Sequence, residues 1–166
     1  QLPFPLAEGG AISPNATLIA YDPVPPAFAW WKRYRGGRMS KIWIGSLADS
    51  SVESVPRTKS NDFNPMWAGG KLYFLSDRDG AFTLYSYDPK SKKVARAVEN
   101  KSFDWKSASA FGDTIAYEQF GGLHLYDTKS GKSKPIPASV NADLLELRPR
   151  LQKLTQIGRA SCRERV

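Results

Sequence analysis

A unit of hydrophobic strand, polar turn and second hydrophobic strand recurs three times along this chain, over 12–47, 67–89 and 110–128, and a third, weaker strand follows each unit. The middle unit is the plainest. Lys71–Ser76 is a strand, Asp77-Arg78-Asp79-Gly80 a polar turn, Thr83–Tyr87 a second strand, Asp88–Lys92 another turn, and Lys93–Val98 the weaker strand. The next unit repeats it as Thr114–Glu118, Gly121-Gly122, Leu123–Asp127, Lys129–Lys132 and Pro135–Pro137. Equivalent positions Asp88 and Asp127 are 39 residues apart, and Leu72 and Ile115 are 43 apart. In the first unit the corresponding offset, Asp22 to Asp77, is 55 residues, which leaves its strands intact and places the extra residues at Pro23–Ser40.

A period of about 40 residues made only of strands and turns is that of propeller blades, since solenoids of similar period are helical. Each segment is rich in Ile, Leu, Val, Tyr, Phe and Trp and is bounded by Gly, Asp, Asn, Ser or Pro, residues that accept turn geometries. No segment before Asp143 supports a helix of normal length. The predicted fold is therefore all-β: a partial β-propeller of about three consecutive antiparallel blades, roughly 9–58, 59–100 and 101–140, with a further blade beginning over 141–155. Trp67, Phe74, Ile115 and Tyr117 are expected to face the blade interiors. An arc of three blades leaves an apolar face at each end, so the chain is expected to be part of a larger ring.

Residues 156–166 are read differently. Ile157–Val166 matches the translation of ATC GGA AGA GCG TCG TGT AGG GAA AGA GTG, a sequencing-adapter read-through, and is expected to be an artefact excluded from fold reasoning. Removing Arg159, Arg163, Arg165 and Glu164 lowers the net charge from +8 to +6. It also removes Cys162, the one cysteine, and with it any disulfide, thiolate nucleophile or cysteine-ligated metal. No apolar run approaches the roughly 20 residues of a membrane-spanning helix.

Basic charge is concentrated in the insert. Between Asp22 and Asp49 no acidic residue occurs, while Lys32, Arg33, Arg35, Arg38 and Lys41 lie close together, interleaved with Trp30, Trp31 and Tyr34. Arg forks hold carboxylates or phosphates, and aromatic rings stack planar groups and cations. Trp31, Lys32, Arg33, Tyr34 and Arg35 are therefore the candidate substrate-binding residues. A structural reading stands beside this one: the Trp residues plug the insert onto the blade, the cations are solvated at its rim, and Gly36 and Gly37 permit the chain reversal into Lys41–Ile44. Single-stranded nucleic acid would suit the same chemistry, but the repeats are not a nucleic-acid module and the patch is one loop.

Pro23–Pro26, the run Trp31-Lys32-Arg33-Tyr34-Arg35-Gly36-Gly37, Ile42-Trp43-Ile44, Asn64-Pro65-Met66-Trp67 and Tyr73–Gly80 together resemble the N-terminal six-bladed propeller of tricorn protease and its bacterial homologues, over about Gly9–Arg150. The Ser-Asp-Arg-Asp-Gly turn recurs in the propellers of TolB and of many oligopeptidases, so the insert is the specific part. The resemblance implies a parent serine peptidase with two propellers, a PDZ-like module and a catalytic domain. It also implies peptide substrates, contacts with the other blades and domains, and homo-oligomerisation. A cytoplasmic location follows from the same resemblance, with a periplasmic or secreted one open.

No catalytic motif of the parent matches here, and neither G-x-S-x-G, G-x-x-x-x-G-K-[ST] nor H-E-x-x-H occurs. His124, between Leu123 and Leu125, reads as a structural histidine, and Ser13, Ser46, Ser76 and Ser107 have no partner base. Asp77, Asp79 and Asp88 lack the spacing of a calcium loop and read as turn caps, so no metal or cofactor is expected. Asn15-Ala16-Thr17 is a formal sequon read as a turn, and Trp105 is read as an inter-blade residue. Leu147-Arg148-Pro149-Arg150 is read as the start of the next blade. The expected function is a non-catalytic propeller segment that guides or filters peptide substrates for a tricorn-like peptidase. A stand-alone TolB-like protein-binding propeller and the gating propeller of a prolyl-oligopeptidase-like enzyme are the alternatives, and fold does not rank them.

Overall fold

The computed structural model describes residues 4, 6–25 and 31–139. The further blade over 141–155, the tail over 156–166, Pro26 and Trp30 lie outside the described residues.

Twelve strands form three four-stranded antiparallel meanders. The first blade comprises β1 (Gly9–Ile12), β2 (Leu18–Asp22), β3 (Trp43–Ser46) and β4 (Val52–Ser54). The second comprises β5 (Asp62–Ala68), β6 (Lys71–Ser76), β7 (Thr83–Asp88) and β8 (Lys93–Arg96). The third comprises β9 (Trp105–Phe111), β10 (Thr114–Gln119), β11 (Gly122–Asp127) and β12 (Lys132–Ile136). No helix occurs among the described residues. Strands β1, β5 and β9 pack against one another across blade boundaries, so they are the innermost strands and line the axis side of the arc.

Each blade thus begins one strand earlier than the sequence repeat shows. The innermost strand β5 carries a bulge at Asn64-Pro65, where the register slips between Phe63 and Met66 and Asn64 adopts a left-handed φ of 57°. A bulge breaks the alternation by which strands are recognised. It also directs Asn64 to two other blades: its backbone N–H meets Asp22 Oδ2 at 3.2 Å and its Nδ2 meets the Ala108 carbonyl at 2.7 Å.

Alternation of side chains gives the middle sheet two buried faces. Trp67, Leu72, Phe74, Tyr85 and Tyr87 pack against Ala20, Ile42, Ile44 and Val55 of the first blade. Met66, Ala68, Tyr73, Leu75 and Leu84 pack against Trp105, Ile115, Tyr117 and Tyr126 of the third. Burying each large apolar side chain contributes about 1.5–3 kcal/mol, so the two interfaces rather than any single blade supply the stability. Trp105 lies between the second and third blades with its ring stacked on Tyr117, centroids 3.4 Å apart and planes 4° apart. Towards the ends of the arc, Phe111 and Leu123 of the third blade are exposed, whereas Phe4 packs over Tyr21 and Gly45 of the first.

Strand order also sorts the connections. The insert (β2 to β3), the Asp77–Gly80 turn (β6 to β7), the Phe120-Gly121 turn (β10 to β11) and the link from β8 to β9 all emerge at one end of the sheets. The turns after β1, β5 and β7 emerge at the other.

Candidate functional site

The insert lies at that shared end and reaches from its own blade across the second to the third. Arg35 Nη1 donates to Asp77 Oδ2 at 2.7 Å and back to the Tyr34 carbonyl at 3.0 Å. Asp77 is buried and accepts two more hydrogen bonds, from the backbone N–H of Asn61 at 2.8 Å and from Asn61 Nδ2 at 3.0 Å. Asn61 Nδ2 also reaches the Tyr34 carbonyl at 3.0 Å, and Asn61 Oδ1 accepts from the Ser40 N–H at 3.3 Å. The second half of the insert, at Tyr34 and Ser40, is thereby fastened to the residue that precedes innermost strand β5.

The second anchor is Lys32, whose Nζ lies 2.7 Å from Asp104 Oδ2, just ahead of innermost strand β9. Asp104 Oδ1 meanwhile accepts from the Phe82 N–H at 3.0 Å. Because Asn61 and Asp104 immediately precede inner strands β5 and β9, the insert overlies the axis side of the arc.

The five candidate residues consequently divide. Arg35 is about two-thirds buried and committed to Asp77; Lys32 is 64 % exposed and held by Asp104. Arg33 is exposed and forms no ion pair among the described residues. It also occupies a left-handed φ of 58°, uncommon for a long side chain. Trp31 is 63 % exposed and its ring centroid lies 6.2 Å from that of half-buried Tyr34.

Gly36 and Gly37 do begin a chain turn, closed by the Met39 N–H on the Gly36 carbonyl at 3.2 Å. Neither takes a positive φ; Arg33 supplies the left-handed residue of the loop. At Gly36 the constraint is close approach: a Cβ there would stand 2.2 Å from Tyr34 Oη, so the Tyr34 ring would have to shift.

Beneath the insert, Arg78 continues the polar lattice. Its Nη2 pairs with fully buried Asp62 at 2.8 Å, its Nε reaches Ser76 Oγ at 3.0 Å, and its guanidinium lies 4.9 Å from the Tyr85 ring. Asp79 accepts a short hydrogen bond from the Tyr85 hydroxyl, which burial, reinforced by that carboxylate, pushes well above its ordinary pKa. Asp88 caps its own turn by accepting from the Lys90 N–H at 2.9 Å. Asp77, Asp79 and Asp88 thus serve different partners. Asn15 accepts from Ser13 Oγ and Thr17 Oγ1, both at 2.8 Å, and sits in the turn expected of it.

Ser13 Oγ donates to Asn15 and Ser76 Oγ to Asp62, while His124 stacks on Tyr117 with centroids 5.0 Å apart. The buried Nδ1 of His124 has no hydrogen-bond partner among the described residues. Sequence reading missed Asn61 as a fastening point and Phe103 and Phe120 as exposed aromatics beside Lys32. Asn61 offers no signal in sequence, but Phe120-Gly121 in a two-residue turn is unusual enough to have been noticed.

Comparison with known proteins places this geometry. A tricorn protease homologue of Saccharolobus solfataricus is 28 % identical over 152 residues, covering 90 % of this chain and 14 % of its own length. The crystal structure of tricorn protease superposes with a TM-score of 0.71 at 20 % identity, covering 82 % of this chain and 13 % of that one. TolB from Acinetobacter baumannii gives 0.58 at 18 % identity, over 82 % of this chain and 34 % of its own. At such identities the structural likenesses establish the propeller fold, and this chain spans a small part of each of these proteins. The family is fixed by sequence: residues 1–132 match the model of the tricorn protease N-terminal β-propeller domain, and the chain belongs to that family.

Proposed function

We propose that this propeller segment is a non-catalytic element of a tricorn-like serine peptidase and guides or filters extended peptides for proteolysis by the parent protein. The observation that carries the reading is the position of the insert: it is fastened over the axis side of the arc and leaves Arg33 exposed beside Trp31, with no ion pair among the described residues. A propeller axis admits extended chains and excludes folded ones by width, and a fixed cation at the rim attracts peptide carboxylates. Within the insert, Arg33 is the capture group, Lys32 can exchange Asp104 for a ligand, Trp31 and Tyr34 form an apolar wall, and Arg35 holds the loop in place. The other blades and domains of the parent, and its homo-oligomer, complete the enclosure in this reading.

The test uses the complete parent peptidase. Arg33→Ala is expected to raise KM several-fold for peptides with a free carboxyl end, to leave kcat unchanged and to spare amidated peptides. The effect of one exposed charge is modest and weakens with salt. Equal loss on both peptide types would assign the insert a purely structural role.

A further inference from the structure

The first blade lacks a ring that the other two carry. Counting by the repeat offsets of 55, 43 and 39 residues, Ile19 corresponds to Phe74 and Tyr117, and their cross-strand partners are Gly45, Tyr85 and His124. Phe74 and Tyr85 stack with centroids 6.1 Å apart, and Tyr117 and His124 with centroids 5.0 Å apart. At this position the first blade has no side chain. A ring from another segment stands there instead: a Cβ on Gly45 would lie 2.5 Å from Phe4 Cε1 and 2.8 Å from Cζ. The Phe4 ring also meets Tyr21, centroids 5.9 Å apart, and Phe4 itself precedes β1 and belongs to no strand.

The missing ring lies on the face that each blade turns to its predecessor. Phe74 and Tyr85 pack on Ala20, Ile42, Ile44 and Val55 of the first blade, and Tyr117 belongs to the cluster with Met66, Ala68, Leu75 and Leu84 of the second. Strand alternation puts Ile12, Ile19, Tyr21, Trp43, Gly45 and Val52 on the equivalent face of the first blade. Phe4 covers Tyr21 and Gly45 on the two central strands. Ile12 on β1 and Val52 on β4 are left 56 % and 39 % exposed.

We propose that Phe4 is an inter-blade wedge: together with Ile12 and Val52 it forms the surface on which the neighbouring blade of the complete ring docks. It supplies from outside the sheet the ring that Tyr85 and His124 supply from within it. The occupant is assigned by repetition. On the second and third blades the same face is covered by an aliphatic sheet face, with Ala20, Ile44 and Val55 in one interface and Met66, Leu75 and Leu84 in the other. A sheet face of this composition is buried against another layer, and the blade that would cover it here lies outside the described residues. The inference rests on membership of the propeller family and is independent of the peptide-guiding role.

The experiment uses the complete parent protein, with hydrogen–deuterium exchange read peptide by peptide. Phe4→Ala is expected to speed exchange about tenfold in β2, in β3 and in the neighbouring blade that faces them, because a cavity opens between the two sheets. Gly45 takes no positive φ, so its backbone accepts a side chain, and Gly45→Tyr recreates the arrangement of the second blade. Alone, Gly45→Tyr collides with Phe4 and should also speed exchange in β2 and β3; combined with Phe4→Ala it should bring both sheets back towards the parent rates. Faster exchange confined to β2 and β3 would make Phe4 a local cover and overturn the wedge, as would a double variant no slower than Phe4→Ala. A photoreactive benzoylphenylalanine in place of Val52 tests the occupant whether or not the Gly45 variants fold. It should link on irradiation to the neighbouring blade of the same chain, and a link to another domain or to a second subunit, or no link to that blade, overturns the assignment.

Discussion

Asp77 should be far more sensitive to truncation than its partner Arg35, although the two make a single ion pair. Asp77→Ala removes the acceptor for Arg35 and for both Asn61 donors. Asn61 is fully buried, so its backbone N–H is left without a partner, at a cost of about 1–3 kcal/mol. Asn61 Nδ2 keeps the Tyr34 carbonyl and loses only about 1 kcal/mol. The Arg35 side chain, 31 % exposed, regains water, so its loss is limited to about 1 kcal/mol. The sum is about 3–5 kcal/mol. Arg35→Ala, by contrast, leaves Asp77 with both Asn61 bonds, and because Arg35 is partly exposed, water takes its place beside the carboxylate, so the cost should be about 1 kcal/mol. For a chain of this size each kcal/mol moves Tm by about 2–4 °C, which predicts a drop of about 10 °C against about 3 °C. Urea and thermal unfolding followed by circular dichroism and tryptophan fluorescence would measure both. Equal losses for the two variants would refute the reasoning, because they would place the stabilisation in the ion pair and not in the carboxylate's grip on the Asn61 backbone.

Three further outcomes follow from individual contacts. Burial, with a smaller contribution from the Asp62 charge and opposed by the Asn64 N–H, pushes the Asp22 carboxyl from 3.8 up to about 7. The native state then keeps a proton that the unfolded chain releases, so stability should fall as pH rises from about 4 to about 7 and level off above, and Asp22→Asn should flatten that slope in urea titrations at stepped pH. Trp105→Ala removes a buried ring stacked on Tyr117 and should cost about 3–5 kcal/mol, read as a lower urea midpoint. Lys32→Ala breaks a pair whose cation is largely solvated and should change stability by less than about 1 kcal/mol, whereas Asp104→Ala also removes the acceptor that the Phe82 N–H uses and should cost about 1–3 kcal/mol in the same assay.

The blades were legible where strands keep their alternation and close on a turn-capping Asp, as in β6–β7 and β10–β11. Both innermost strands of the later blades were harder to read, for different reasons. In β5 the Asn64-Pro65 bulge interrupts the pattern, and in β9 the run Trp105-Lys-Ser-Ala-Ser-Ala-Phe111 is small and polar between its two aromatics. These strands are recognisable only from what they pack against. Strand β9 is a strand because Trp105, Ala108 and Ala110 fit the face presented by Met66, Tyr73 and Leu84.

The insert shows the same division between composition and placement. Its cations and aromatics are visible in sequence, but which cation is free depends on carboxylates that the fold brings in from elsewhere. Arg35 is bound by an aspartate 42 residues away, and no local pattern distinguishes it from Arg33, two positions earlier. The distinction matters for function. In the proposed peptide-guiding role, a loop carrying several mobile cations would lose conformational freedom on capturing a peptide, whereas Arg35 and Lys32 fasten this loop before any ligand arrives, and the proposal leaves Arg33 to engage it. The structural and ligand-binding readings of this segment are therefore not rivals. Removing the anchor at Asp77 should weaken peptide capture as well as stability, while removing Arg33 should weaken capture alone, and a variant pair with that pattern would show that the brace is what gives the capture group its fixed position.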